Sequence, residues 1–184
     1  MRNTRGRWGW SVGLNVTVAA LLWFVDSAGA VPLESWDSLI PNANQRFKVL
    51  SEFGDQAVLD KETGLVWERA VSQQLFDWDV SRAVCITRPV GGRKGWRLPS
   101  IAELASLIDS NVLPPGPTLP PGHPFVFILA ADYWSATTAV NTTNTTRDAW
   151  KVDFAIGGIG ANNKAINNSI RAWCVRGPMS ESVY

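Results

Sequence analysis

Gly95-Trp96-Arg97-Leu98-Pro99-Ser100-Ile101-Ala102-Glu103-Leu104-Ala105-Ser106-Leu107-Ile108-Asp109 is the stretch on which the reading of the fold turns. Pro99 pushes Leu98 away from helical angles, so Trp96 to Pro99 reads as an extended connector. Ser100 and Glu103 then form a capping box, in which side chain and backbone satisfy two orphan N–H groups reciprocally. Ile101, Leu104, Leu107 and Ile108 fall on one face of the helix that follows. An extended segment feeding a capped, one-sided helix asks for a sheet to pack against.

Upstream, the strands for that sheet are present. Phe47-Lys48-Val49-Leu50 and Ala57-Val58-Leu59 are short β-type runs, and Leu65-Val66-Trp67 returns as the second arm of a hairpin. Lys61-Glu62-Thr63-Gly64 is the turn, with Gly64 supplying a positive φ. Asp77 caps a first helix through about Ile86, which carries Trp78, Val80, Val84 and Cys85. Gly91-Gly92 breaks the chain before the connector.

Downstream, Pro114, Pro115, Pro117, Pro120, Pro121 and Pro124 exclude helix and central strand over residues 110–124. Tyr133-Trp134-Ser135 reads as a strand. Trp150, Val152 and Phe154 alternate with Lys151 and Asp153, the period of a strand with one buried face. Residues 137–148 and 157–169 read as polar loops, with Gly157, Gly158 and Gly160 turning the chain. Ala172 to Arg176 reads as a closing strand that carries Cys174. The order is hairpin, two helices, long loops and a late cluster of strands. That is an α+β domain, two helices packed on mostly antiparallel strands.

Residues 1–30 read as a signal peptide: Arg2, Arg5 and Arg7, a mostly apolar run from Val12 to Val25, then Ala28-Gly29-Ala30 with cleavage after Ala30. The alternative is an uncleaved anchor, but a run of about 14 residues falls short of the ~20 that span a bilayer. Residues 31–45 read as an irregular lead-in, 46–178 as the domain and 179–184 as a tail. Cleavage removes three Arg and Asp26 from 17 basic and 16 acidic residues, so the mature chain carries 14 and 15. It is expected outside the inner membrane, secreted, periplasmic or at the cell surface, with no membrane span left.

Outside the cytosol, Cys85 and Cys174 are expected to pair. Such a bridge closes most of the mature chain, and loop-closure entropy for that length is worth roughly 4–5 kcal/mol. The rival reading is a catalytic thiol, for which His123, the one His of the chain, is the only imidazole base on offer.

Composition narrows the function. The chain of 184 residues is 46% hydrophobic and 18% charged, enough apolar material for a packed core. Near-neutral charge offers no field to hold nucleic acid. One His and two Cys rule out a Cys/His zinc cluster. Of ten Trp, Trp67, Trp96, Trp134, Trp150 and Trp173 read as core, and Trp36 as free for surface stacking.

Several of these pieces occur together in a known family. Arg46-Phe47 with Asp60-Lys61-Glu62-Thr63-Gly64-Leu65-Val66-Trp67, Trp78 followed by Cys85, Gly91-Gly92 with Trp96-Arg97-Leu98-Pro99-Ser100, Tyr133-Trp134-Ser135-Ala136-Thr137-Thr138, Ala149-Trp150-Lys151-Val152-Asp153-Phe154 and Cys174-Val175-Arg176-Gly177 follow in order. This series resembles the Lcl C-terminal domain-like family over about residues 46–178. Ala136 and Ser81 are small departures from its pattern. The resemblance implies a C-type-lectin-like fold and an exported bacterial protein. The family's named member binds sulfated glycosaminoglycans. A polyanion site needs a basic surplus, and Arg82, Arg88, Arg93, Lys94 and Arg97 around the helix connection read instead as ordinary solvated surface.

No catalytic motif stands out, and no enzyme activity, cofactor or metal is expected. The Glu-Pro-Asn, Gln-Pro-Asp and Trp-Asn-Asp signatures of calcium-dependent lectins do not occur. Asp132, Asp148 and Asp153 read as turn and strand-end residues, and Asp77 and Asp79 as helix-start acids. What remains is recognition by loops on a rigid scaffold. Asn141, Asn144, Arg147, Asn162, Asn163, Lys164, Asn167 and Asn168 are the expected ligand contacts, toward a glycan or a protein partner at the cell surface. The alternative is a structural subunit whose loops touch neighbouring protomers, which allows oligomers.

Overall fold

The computed structural model describes residues 40–140, 147–165 and 170–177. The expected signal peptide, Trp36 and the tail lie outside the described residues.

A short helix, α1 (Ala43–Arg46), opens the domain inside what the sequence presents as an irregular lead-in. Its signal is local: Asn42 caps it by accepting from the Asn44 N–H at 2.9 Å. Strands β1 (Phe47–Val49), β2 (Ala57–Asp60) and β3 (Val66–Glu68) follow as the expected antiparallel hairpins. The β2–β3 turn holds Gly64 at φ 70°, and the Gly64 N–H reaches the Asp60 carbonyl at 2.8 Å. Strand β4 (Leu75–Phe76) precedes helix α2 (Trp78–Thr87), where Asp77 accepts from the Val80 N–H at 2.8 Å. Helix α3 (Ile101–Ala105) has the full capping box of Ser100 and Glu103. Then come β5 (Asp132–Ala139), β6 (Asp148–Asp153), β7 (Gly158–Asn163), β8 (Ile170–Arg171) and β9 (Val175–Arg176).

Two sheets result. One has the order β1-β2-β3-β9, the other β4-β8-β5-β6-β7. All pairings are antiparallel except β5 with β8, which meet in parallel at Tyr133 and Arg171. The domain is thus α+β, rich in strands, with few and short helices.

Neighbouring residues on several strands feed different cores, because side chains alternate across a sheet. Tyr133, Trp173 and Val175 join Phe47, Val58, Trp67, Leu104, Leu107, Val152 and Phe154. Trp134 and Cys174 join Leu50, Trp78, Cys85, Val90, Trp96, Leu98, Ala149 and Ile170. Trp173 is the hub of the first core, with ring centres 5.3 Å from Trp67, 4.8 Å from Phe125 and 5.9 Å from Phe154. Burial of such rings is the largest single apolar gain available per residue.

The Cys85–Cys174 disulfide joins the two segments that the expected pairing named, with Cα atoms 5.3 Å apart. Cys174 lies just before β9 rather than inside it, and its carbonyl accepts from the Glu68 N–H at 2.9 Å. The staple therefore fixes α2 against the junction of β3 and β9.

A buried ion pair holds the opposite end. Arg46 donates to both carboxylate oxygens of Asp60 at 2.9 and 2.8 Å, and to the Ser106 carbonyl at 2.8 Å. Asp60 also accepts from the Glu62 N–H and the Thr63 hydroxyl. Both charges are almost fully inaccessible, and their remaining hydrogen-bonding capacity is filled from the turn and from the end of α3.

Four expectations need correction. Helix α3 ends at Ala105, before Leu107 and Ile108. Ser106 turns its hydroxyl onto the Glu103 carbonyl at 2.7 Å, and the Leu107 and Ile108 N–H groups bond three residues back. The apolar face is kept all the same: Leu104 and Leu107 are fully buried, and Ile101 and Ile108 pack on the same core. Trp150 is not core but 37% exposed. Parity puts it on the face of Val152, yet Val152 is buried there and Trp150 is not. Gly158 and Gly160 do not turn the chain, a task left to Gly157 at φ 69°. Residues 158–163 are a strand, paired with β6 over its full length.

Candidate functional site

Strands β6 and β7 form one long hairpin, in register from Asp153–Gly158 at its turn to Asp148–Asn163 at its open end. The Lys164 N–H extends that ladder by one rung to the Arg147 carbonyl, at 2.8 Å. Arg147, Asn163, Lys164 and Ala165 thus meet where the two strands part. They line an open concavity of about 390 Å³. Arg147, Asn163 and Lys164 are among the residues that sequence reasoning marked for contact, and the ladder explains why positions so far apart converge. Asn162 sits beside them on β7, opposite Ala149. Asn141, Asn144, Asn167 and Asn168 lie outside the described residues, as do the Asn141-Thr142-Thr143 and Asn144-Thr145-Thr146 sequons.

The asparagines first shape their own backbone. Asn162 Oδ1 accepts from the Asn163 N–H at 3.0 Å, and Asn163 Oδ1 accepts from the Ala165 N–H at 2.9 Å. Such short side-chain-to-backbone bonds set the bend that ends β7. With the carbonyl oxygens committed, the amide Nδ2 groups are left as donors.

Lys164 does something the sequence did not disclose. Its ammonium turns inward, 3.0 Å from the Thr138 hydroxyl and 4.1 Å from the ring centre of Trp78. Arg82 covers the same ring at 4.7 Å. Trp78 is itself anchored: its indole N–H donates to the Ser135 carbonyl at 2.7 Å, and its backbone N–H donates to the Lys164 carbonyl at 3.1 Å. The start of α2 is therefore clamped to the floor of the concavity. No local pattern links Trp78 to Lys164, so only the fold reveals the pair. Cation–ring contacts of this kind contribute about 0.5–2 kcal/mol, more as they are desolvated.

Four of the basic residues of the helix connection have partners within the domain. Arg88 pairs with Glu68 at 2.5 Å and Arg97 pairs with Glu103 at 2.6 Å. Arg82 lies over Trp78, and Arg93 lies over Phe53 at 5.3 Å.

The remaining titratable groups have structural explanations. Burial pushes the Glu68 carboxyl above its ordinary value, and the Arg88 guanidinium offsets only part of that. Burial also pushes Glu103 up, but hydrogen bonds from Arg97 and Ser100 outweigh it and hold the carboxyl below its ordinary value. Burial lowers His123, whose Nδ1 has no partner among the described residues. Asp132 pairs with Lys151 at 2.6 Å, and Asp153 accepts from the Ala155 N–H at 2.8 Å. Among the described residues, no group of three or more His, Cys, Asp or Glu is placed to hold a metal ion. None of the described helices is long and apolar enough to cross a membrane.

A strand-rich α+β domain closed by a long-range disulfide fits an extracellular or periplasmic domain. The chain belongs to the Lcl C-terminal domain family, whose model matches residues 56–176. That membership marks it as a cell-surface or extracellular type of domain. Neither the curated proteins nor the solved structures gave a match.

Proposed function

We propose that this is an exported, non-catalytic binding module, which takes its ligand at the open end of the β6–β7 hairpin. The observation that carries the reading is the convergence of Arg147, Asn163 and Lys164 on one concavity. Arg147 offers a planar fork of donors, and the asparagine amides offer more, without a concentrated charge. That donor set suits the hydroxyl and ring oxygens of a carbohydrate better than a polyanion. The scaffold is C-type-lectin-like in this proposal. Family membership and a staple that runs from α2 to the C-terminal strand both support that assignment.

The test is a glycan array on the purified, oxidised domain, followed by titration calorimetry with any hit. Arg147→Ala and Asn163→Asp each remove donors from an exposed position, and Asn163→Asp keeps the Oδ1 that accepts from the Ala165 N–H, so the fold should survive both. Each is expected to weaken a true ligand about tenfold, the loss of one or two hydrogen bonds. A ligand that binds both variants as tightly as the wild type sits elsewhere and sinks the proposal.

A further inference from the structure

Trp150 is the one described tryptophan that the fold leaves open. Trp67, Trp78, Trp96, Trp134 and Trp173 are all buried, while Trp150 is 37% exposed and belongs to neither core. Its mounting is nonetheless rigid. Strand β6 is paired on both sides, with β5 and with β7. Opposite Trp150 the β5 strand bulges: Trp134 faces Lys151 and Thr138 faces Ala149, so residues 135–137 stand against Trp150 alone. The buried Ser135 hydroxyl donates to the Trp150 carbonyl at 2.8 Å and takes the place of a ladder bond. A bulge re-aims side chains locally, and bulges gather beside sites of function.

Parity assigns the ring its neighbours. Asp148, Trp150 and Val152 share one face of the hairpin with Asn163, Ala161 and Ile159 directly across. Ala161 stands opposite the indole and has only a methyl to cover it. Asn163 and Ile159 are the diagonal neighbours, about 7–8 Å away, within reach of a molecule that rests on the ring. Asn163 Oδ1 is held by the Ala165 N–H, so its Nδ2 remains a donor, and Asp148 brings an acceptor. None of these six residues is a cation, and Arg147, Lys151 and Lys164 take the opposite face by the same parity.

We propose that Trp150 stacks on the apolar face of one pyranose unit of a neutral, β-linked oligosaccharide whose next unit lies in the concavity. This deepens the binding reading and rests on it. Asn163 is the joint, since it lines the concavity and lies diagonal to Trp150. A pyranose presents C–H bonds on its ring face and hydroxyl groups around its rim. The indole takes the C–H face, while rim hydroxyls donate to Asp148 and accept from Asn163 Nδ2. Sulfate and phosphate find no cation on this face and are repelled by Asp148, which disfavours polyanions and nucleic acid. A protein anchor would need more apolar surface: Ile159 is the only large exposed apolar side chain beside the ring on this face, and the other exposed flank is a carboxylate and an amide.

Titration calorimetry of the oxidised domain with cellohexaose, chitohexaose and a heparin hexasaccharide tests this. The wild type is expected to bind at least one of the two neutral chains, and more tightly than heparin. Trp150→Ala should weaken that chain about tenfold, and Trp150→Phe, which keeps a smaller ring, should weaken it less. Saturation-transfer NMR should place the strongest signal on the ring C–H protons of one sugar unit, and Trp150→Ala should erase that pattern. Near-UV circular dichroism of the buried tryptophans confirms that the variants fold. A wild type that binds neither neutral chain, or binds heparin more tightly, overturns the proposal and leaves the ring to a protein partner. If Arg147→Ala weakens the chain and Trp150→Ala does not, the concavity stands and the stacking subsite falls. If Trp150→Ala weakens it and Arg147→Ala does not, stacking stands and the concavity reading falls.

Discussion

Removing the Cys85–Cys174 bridge is the perturbation whose size follows most directly from the structure. The residues are 89 apart in sequence, so the cross-link closes a loop that holds most of the folded domain. Chain entropy for a loop of that length is about 4.6 kcal/mol at 25 °C. The free thiols of the reduced protein keep almost the same packing, so reduction isolates that term. Cys85→Ala with Cys174→Ala loses it too, and also empties two sites that are fully buried in the second core. The vacated space adds about 1–2 kcal/mol. Urea unfolding followed by tryptophan fluorescence reads both. With a slope of ~2 kcal/mol per M, reduction should lower the midpoint by about 2 M, and the double variant should fall lower still. The native state of a domain this size is worth only about 5–15 kcal/mol, so either change removes a large fraction of it. A reduced protein within ~1 kcal/mol of the oxidised one, at unchanged slope, would refute the idea that the bridge staples the fold. So would free thiols in the protein as exported.

Other outcomes follow from the buried charges. Asp60→Asn removes one of two carboxylates on the buried Arg46 guanidinium, leaving Glu62 at 3.2 Å, and should cost about 1–3 kcal/mol in urea unfolding. Replacing both, with Arg46→Met and Asp60→Leu, should cost less than Asp60→Asn alone. Glu103 titrates below its ordinary value of 4.5 in the folded protein, so it adds stability above pH 4.5 that is lost as pH falls through its folded value. Glu103→Gln should therefore flatten the acid limb of a stability–pH profile measured from pH 6 downward. Glu68 is raised above 4.5, which reverses the sign: its contribution is present below pH 4.5 and lost as pH rises through its folded value. Glu68→Gln should lessen that loss, unless the Arg88 pairing outweighs it, a result that would contradict burial as the dominant cause.

What could be read from the sequence was what is settled over a few residues. Asp77 and Ser100 cap helices because their partners are three positions away. Gly64 marks its turn because the conformation there is left-handed. The disulfide was legible because two cysteines in a chain expected to leave the cytosol have little else to do. Strand β7 was not, since Gly-Ile-Gly-Ala-Asn-Asn has neither β propensity nor alternation and is made a strand by β6. The exposure of Trp150 was hidden for a related reason: period two tells which face a residue takes, not where the core stops. The end of α3 depends on Arg46, whose guanidinium takes the Ser106 carbonyl from across the domain. At the site, Arg147, Asn163 and Lys164 stood out as polar residues, but the place of Asn163 in β7 and the contact of Lys164 with Trp78 did not.

That contact separates two kinds of residue at the concavity. The disulfide and the Arg46–Asp60 pair hold the domain at α2, β3, β9 and the β2–β3 turn, and of these the start of α2 reaches the hairpin's open end through Trp78 and Lys164, not through Arg147. Stability and recognition can therefore vary independently at Arg147, while Asn163 Oδ1 also holds the bend that ends β7. Lys164 belongs to both, since its side chain reaches Thr138 and Trp78 while its backbone bonds to Arg147 and Trp78. Lys164→Met keeps the apolar stem and removes the ammonium. It should lower stability by about 0.5–2 kcal/mol, the range for a desolved cation over a ring. It should also weaken ligand, because the start of α2 loses its clamp to the floor. Arg147→Ala should weaken ligand with the unfolding midpoint unchanged. If the two variants shift stability equally, the concavity is a structural seam of the hairpin and recognition lies elsewhere.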